Sequence, residues 1–187
     1  MKNRLLTPVD MQNDFMLPTG ALPVTKAEGI IEPSNRFLRD QAKKFTGVMP
    51  TFDTHDPVTY PQSPEAELFP IHCVKGTWGW ELAVKLGKDT MLEKDVFDMW
   101  AKGTPELLRF VRPSEWEIYV MGVAGDYCVN DAVAGFLNRG FTTTVIADLT
   151  KGINAEFEDV AKDKFAEHLK NDTLRLITAN EFARRVR

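Results

Sequence analysis

The sequence predicts an α/β protein, a three-layer α/β/α arrangement with a mostly parallel, doubly wound sheet between the helix layers. Three observations point there. Short apolar runs alternate with longer amphipathic ones along the chain, the pattern of repeated strand–helix–strand units. Those runs are bounded by Gly, Pro or Asp, as buried parallel strands are. No repeat, low-complexity tract or linker divides the 187 residues into two composition regimes, so a single domain over 1–187 is expected.

The elements follow in order. Residues 4–9 form the first strand, although Pro8 inside them removes a ladder donor. An amphipathic helix over 27–45 places Ile30, Phe37, Leu38 and Phe45 roughly on one face, with Pro33 interrupting or starting it. A second strand over 47–52 carries Pro50, which weakens its boundaries in the same way. Residues 54–79 are long, proline-broken and irregular; such a stretch inside a compact domain is usually functional or disordered, and its aromatic, His and Cys content argues against disorder. A short apolar piece at 90–92 precedes Glu93-Lys94-Asp95. Strands at 118–122, 142–147 and 174–177 alternate with two helical stripes. One is Val129, Ala132, Val133, Phe136 and Leu137, ending at Gly140; the other is Val160, Ala161, Phe165 and Leu169. A last helix over 181–186, with Asn180 as its cap, ends in arginines that suit the negative end of a helix dipole.

Charge and composition exclude several classes. With 23 Lys and Arg against 27 Asp and Glu, the net charge is −4, and no nucleic-acid partner is indicated. No run of about 18 apolar residues exists for a membrane span, and the first residues lack the apolar stretch of a signal peptide. Two cysteines, Cys73 and Cys128, cannot make a disulfide framework, so a reducing, cytoplasmic setting is expected.

Three groups of residues could carry chemistry. Asp53, His55, Glu65 and His72 offer two imidazoles and two carboxylates, a mixed N/O set suited to Zn, Fe, Mn or a similar divalent ion. Asp53 and His55 are two apart in an extended segment, so both can face one ion, and they follow a strand, where α/β sheets place their sites. The alternative is a plain Asp–His pair in a loop. Cys128 follows a strand and a small-residue turn, Gly122-Val123-Ala124-Gly125-Asp126-Tyr127, where a helix begins. A thiol there would have a lowered pKa, and the turn amides could bind an oxyanion; a buried, inert cysteine is the other reading. Asp10 ends the first strand and projects into the same crevice, or serves only as a turn residue. Lys94 by itself reads as a surface lysine. Phe15, Trp78, Trp80 and Trp100 lie near these segments and could wall a pocket for a flat ring, with Phe97 read as core.

Taken in order, these pieces resemble the isochorismatase-like cysteine hydrolases, and most of all the nicotinamidase/pyrazinamidase branch. The matching stretches are Val9-Asp10-Met11-Gln12-Asn13-Asp14-Phe15, Gly20-Ala21-Leu22-Pro23-Val24, Asp53-Thr54-His55, Leu68-Phe69-Pro70-Ile71-His72-Cys73-Val74-Lys75-Gly76-Thr77 and Gly122-Val123-Ala124-Gly125-Asp126-Tyr127-Cys128-Val129. Gly140-Phe141 and Ala147-Asp148-Leu149 also fit. The resemblance covers roughly residues 5–155 and implies the following. Asp10, Lys94 and Cys128 form a catalytic triad. Asp53, His55 and His72 bind a divalent metal, zinc first with iron or manganese as alternatives, and Glu65 stands where some members add a carboxylate. A cis peptide is expected at Val123–Ala124, with the amides of Ala124 and Cys128 as the oxyanion hole. Phe15, with one or more of Trp78, Trp80 and Trp100, would sandwich the substrate ring.

The implied activity is hydrolysis of nicotinamide and pyrazinamide to the acid and ammonia through a thioester on Cys128, in NAD salvage, by a homodimer or homotetramer. One segment departs from the branch: nicotinamidases commonly carry something like Tyr-Ser-x-Phe after the lysine, and this chain reads Asp95-Val96-Phe97-Asp98-Met99-Trp100. A related cysteine hydrolase acting on another small amide or carbamoyl compound is therefore the alternative. A domain that binds a metal or ring ligand without turnover is a third.

Overall fold

A computed structural model describes residues 2–87 and 90–186; Met1 and Arg187, the ends of the expected domain, lie outside the described residues. Seven strands form one sheet: β1 (Asn3–Val9), β2 (Gly47–Val48), β3 (Thr51–Asp53), β4 (Leu92–Lys94), β5 (Trp116–Gly122), β6 (Thr142–Thr150) and β7 (Leu174–Ile177). The order is β4-β3-β1-β5-β6-β7, with β2 also paired to β1, and every described pairing is parallel. The chain first builds outward from β1 to β3 and β4, then returns to place β5 on the other flank of β1. The crevice at the carboxyl ends of β1 and β5 is therefore the point where such sheets bind ligands.

Alternation along the strands splits the core into two. Leu6, Tyr119 and Met121 face one layer, with Phe37 and Leu38 of α2 (Ile31–Gln41) and Phe182 of α6 (Ala179–Arg185). Leu5, Val9, Ile118 and Val120 face the other, with Val129, Val133 and Phe136 of α3 (Cys128–Asn138) and Phe157 of α4 (Phe157–Lys164). A one-turn helix, α1 (Asn13–Met16), and a short one, α5 (Ala166–Lys170), complete the helical set.

The two suspect prolines explain each other. Met49 N–H donates to Leu6 and Asp10 N–H to Thr51, so the even-numbered residues of β1 face β2 and β3. Pro8 lacks its donor on that same side, where the expected 47–52 strand breaks into β2 and β3 at Met49-Pro50. The expected 27–45 helix is a 3₁₀ turn at Ala27–Ile30, then α2 with Pro33 in its first turn, then a 3₁₀ turn at Ala42–Lys44. The 160–169 stripe divides into α4 and α5 at Phe165. At the last helix the cap is Thr178, not Asn180: Thr178 Oγ1 accepts from Glu181 N–H while Glu181 accepts from Thr178 N–H, a reciprocal pair that leaves Asn180 inside the helix.

Candidate active site

Four strand ends deliver the site. Asp10 directly follows β1, Asp53 ends β3, Lys94 ends β4, and Cys128 opens α3 just beyond β5. Because all are parallel, their carboxyl ends share one edge. Asp10 turns the chain with φ 47°, a left-handed conformation that Asp tolerates better than most residues. Gly122 takes φ 121°, where a side chain would collide with Val9 backbone; this lets β5's end lie flat on β1 as Val123 N–H reaches Val9 C=O at 3.0 Å.

Lys94 joins two groups of residues. Its Nζ lies 2.7 Å from Asp10 Oδ2, 3.4 Å from Asp53 Oδ1 and 3.4 Å from Cys128 Sγ. The lysine is far from the surface: 7% of it is exposed, and 0% of Asp10. Burial works against its charge, but Asp10 first and Asp53 next hold the ammonium pKa well above the ordinary lysine value. Thr51 Oγ1 donates to Asp10 Oδ1 at 2.6 Å and orients the carboxylate. The Cys128 thiol departs from the expectation of a lowered pKa. Burial pushes it well above the ordinary cysteine range; Lys94 opposes this, while Asp10 and Asp53 add to it. Burial thus favours the neutral thiol at rest, 3.4 Å from the Lys94 ammonium.

The peptide Val123–Ala124 is cis, as the resemblance implied. Gly125 N–H donates to Lys151 C=O, and Lys151 N–H donates to Gly122 C=O, tying the turn to the 151–155 segment. Asp126 stands two residues before Cys128 but gives α3 no side-chain cap. Instead its carboxylate accepts from the backbone N–H groups of Ile153, Asn154 and Ala155 at 2.8, 2.7 and 3.2 Å. Among the described residues, no hydrogen bond engages the backbone N–H of Ala124 or of Cys128.

Beside Lys94 the second group converges. Asp53, His55, Glu65 and His72 are all buried, and each offers a donor atom within 4.8 Å of the others. Asp53 Oδ2 lies 3.1 Å from His55 Nε2 and 3.0 Å from His72 Nε2; Glu65 Oε2 is 3.4 Å from His55 Nε2. Local structure explains the convergence. His55 pairs with the returning chain through His55 N–H to Cys73 C=O and Lys75 N–H to His55 C=O. Ser63 caps the 3₁₀ turn Pro64–Glu67, which carries Glu65. His72 Nδ1 lies 2.8 Å from Pro70 C=O, which holds the ring so that Nε2 is aimed at the carboxylates.

The donor set fits a divalent cation. Both Glu65 oxygens are buried without a hydrogen-bond partner, a costly state that a cation would relieve. Burial acts to raise Asp53, but Lys94 and the two histidines keep it ionised, well below the usual carboxylate range. Burial acts to lower His55, but hydrogen bonding to Asp53 and the nearby Glu65 carry it up to about 9, so positive charge is already favoured at this point.

A small cavity lies over Cys128, Ala124, Asp53 and His72, walled by Phe15, Leu22, Phe69, Phe97, Tyr127 and Ile153. Phe15 is thus placed as expected, 5.2 Å from the His72 ring. The three tryptophans are not. Trp80 is buried against Phe52, with Nε1–H on Thr54 Oγ1 at 2.9 Å. Trp100 stacks edge-on against Phe136 and under Arg139 in the opposite core layer. Trp78 is 53% exposed and outside the cavity wall. For Trp80 and Trp100 the large apolar area of the indole is buried in a core rather than set against a small cavity. Phe97, expected in the core, joins Phe69 and Tyr127 in a cluster of three rings. The signals for the last two were their positions, Phe69 three residues before His72 and Tyr127 directly before Cys128.

Comparison with known proteins agrees with the geometry. The family model described as "Isochorismatase domain" matches residues 5–181. The chain belongs to the isochorismatase family. Within it, the chain is similar to the nicotinamidase of Saccharomyces cerevisiae, 27% identical over 93% of this chain and 99% of that protein. It is similar also to the nicotinamidase/pyrazinamidase of Mycobacterium tuberculosis, 31% identical over 82% of this chain and 89% of the relative. A solved structure of Pyrococcus horikoshii pyrazinamidase in complex with zinc matches with TM-score 0.77 at 29% identity, covering 94% of this chain and 99% of that one. The fold is isochorismatase-like, and the family and these relatives mark the protein as an amidohydrolase acting on a carboxamide C–N bond.

Proposed function

We propose that this protein is a metal-dependent nicotinamidase, converting nicotinamide and pyrazinamide to the acid and ammonia through a thioester on Cys128. One observation carries the reading: Lys94 lies within 3.4 Å of Asp10, Asp53 and Cys128, so a thiol centre and a metal-donor centre adjoin beneath one ring-lined cavity.

In this reading Asp10 takes the thiol proton as the substrate binds, and Lys94 offsets the negative charge that would otherwise oppose a thiolate beside a carboxylate. The Cys128 sulfur forms a bond to the carboxamide carbon, and the carbonyl electron pair moves to its oxygen. The N–H groups of Ala124 and Cys128 receive that oxyanion; one such donor is typically worth about 3–4 kcal/mol. Asp10 returns the proton to nitrogen as the C–N bond breaks and ammonia leaves. Water then attacks the thioester, Asp10 again accepts the proton, and the acid departs as the thiol re-forms. Phe15, Phe69, Phe97 and Tyr127 give the ring its apolar walls. A divalent ion held by Asp53, His55, Glu65 and His72 would supply a Lewis-acid anchor for the pyridine nitrogen, orienting the ring.

In this reading the acid product feeds NAD salvage. Both cysteines are free, which suits a cytoplasmic setting. Association into a dimer or tetramer is part of the same proposal, and Leu107 and Phe110, 52% and 91% exposed, offer apolar surface to such a contact. The decisive experiment is ammonia release from nicotinamide, with Cys128→Ala assayed in parallel. Turnover that depends on Cys128 is expected, and far exceeds that on aliphatic amides. Turnover of aliphatic or carbamoyl amides in preference to nicotinamide would move the substrate and keep the nucleophile.

A further inference from the structure

The turn after Asp10 holds the metal-donor segments from behind. Gln12 is fully buried. Its Oε1 accepts from Asp53 N–H at 2.8 Å, while its Nε2 donates to Asp53 C=O at 2.8 Å and to Trp80 C=O at 3.0 Å. The carboxamide thus grips both backbone polar groups of Asp53, as a neighbouring strand would. Two residues on, the buried Asp14 carboxylate accepts from Cys73 N–H at 2.7 Å through Oδ2 and from Ala21 N–H at 2.9 Å through Oδ1. Cys73 follows His72 and sits at φ 46°, a conformation that a non-glycine residue holds only under local restraint. Gly79 backs onto the same carboxylate, where any Cβ would overlap it.

We propose that Gln12 and Asp14 are positioning residues of the metal site: Gln12 sets Asp53, and Asp14 sets His72 through Cys73. The proposal rests on the reading of the Asp53, His55, Glu65 and His72 group as a metal site. Neither residue offers a donor atom to the ion. Each is buried and polar, and each finds a hydrogen-bond partner in the backbone of a donor-bearing segment. Asp53 and His72 come from a strand end and a distant loop, so their spacing is not set by local chain geometry. Gln12, the N-cap of the one-turn helix α1, and Asp14 within it together span that gap. Partners outside a ligand shell typically change metal affinity by about 10–100-fold when replaced.

The test is Zn²⁺ affinity, measured by competition with a chromophoric chelator, for wild type, Gln12→Met and Asp14→Asn. Gln12→Met keeps the volume and removes both hydrogen-bonding functions. Asp14→Asn turns an amide N–H toward a backbone N–H. Thr178→Ala, which removes the remote α6 cap, controls for a general loss of stability. Each site variant is expected to bind Zn²⁺ about 10-fold or more weakly, with the control at wild-type affinity. Where either does not fold, Gln12→Asn, which keeps the amide but shortens its reach, replaces Gln12→Met, and Asp14→Glu, which keeps the carboxylate but displaces it, replaces Asp14→Asn. Site variants that bind as tightly as the control overturn the proposal, while a wild type that takes no Zn²⁺ overturns the metal reading and the proposal with it.

Discussion

At the residue scale, the question is what state Cys128 rests in. A thiol raised well above its ordinary value by burial is protonated at neutral pH, and an unfolded chain would ionise first as pH rises. Iodoacetamide labelling of Cys128 in the substrate-free protein should therefore be slow at pH 7 and climb through the alkaline range. Lys94 pulls this pKa down against burial and the two aspartates, so Lys94→Met should shift the profile to still higher pH. Mass spectrometry of the labelled peptide against pH checks both; a rate already at plateau near pH 7 would show a resting thiolate instead. Cys73, raised in the same direction by burial, should label no faster. From the sequence, Asp10 and Cys128 stood out as candidates by their places after strands, whereas Lys94 was reachable through the resemblance alone, since viewed singly it is one of many lysines. The direction of the thiol shift was not reachable, because it is set by how deeply the folded chain buries the sulfur. The tryptophans show the same limit: proximity along the chain to Asp53 or Lys94 does not say which layer a ring enters.

At the element scale, the legible features were those with local causes. The strands of the expected set were placed because alternation and bounding Gly or Pro report burial directly, and β5 and β6 simply extend two residues and three residues beyond the readings at 118–122 and 142–147. Breaks within elements were less legible. The split of 47–52 depends on Pro8 in another strand, and the division at Phe165 on how that ring packs. The α6 cap moved by two residues because Thr178 and Glu181 satisfy one another, and that reciprocity outweighs a single Asn. Thr178→Ala should lower stability by about 1 kcal/mol in denaturant unfolding. The pH sign follows from Glu181, whose pKa is lowered by hydrogen bonds from the Thr178 backbone and side chain. A carboxylate lowered in the fold contributes stability that is present above its unfolded pKa and lost as pH falls through the folded one. Glu181→Gln should therefore flatten the acid side of the stability curve and leave its slope above pH 6 unchanged.

At the scale of the whole molecule, the candidate site forms where a sheet edge and a long loop meet. Asp53 and Lys94 are fixed by strands, whereas His55, Glu65 and His72 hang on the irregular 54–79 stretch, whose function the sequence could announce but whose path it could not. A cation shared by Asp53 and the three loop donors would pin that stretch to the sheet. Removing it leaves two buried Glu65 oxygens unsatisfied and withdraws a binding contribution of about 2.7 kcal/mol if the ion is normally present at 100 times its dissociation constant. Treatment with a chelator should thus abolish amide hydrolysis, lower the melting temperature, and open the loop to protease near Val58 and Leu68, which are 77% and 64% exposed. Zn²⁺, Fe²⁺ or Mn²⁺ added back singly should restore all three properties, and the ion that restores them at lowest concentration is the preferred one. Glu65→Gln should weaken metal retention without eliminating it, because Asp53, His55 and His72 remain; metal content after dialysis measures this directly. Chelated protein that keeps its melting temperature and its protease resistance would mean that hydrogen bonds within the loop suffice to hold it, and that the four donors do not tie it to the sheet through an ion.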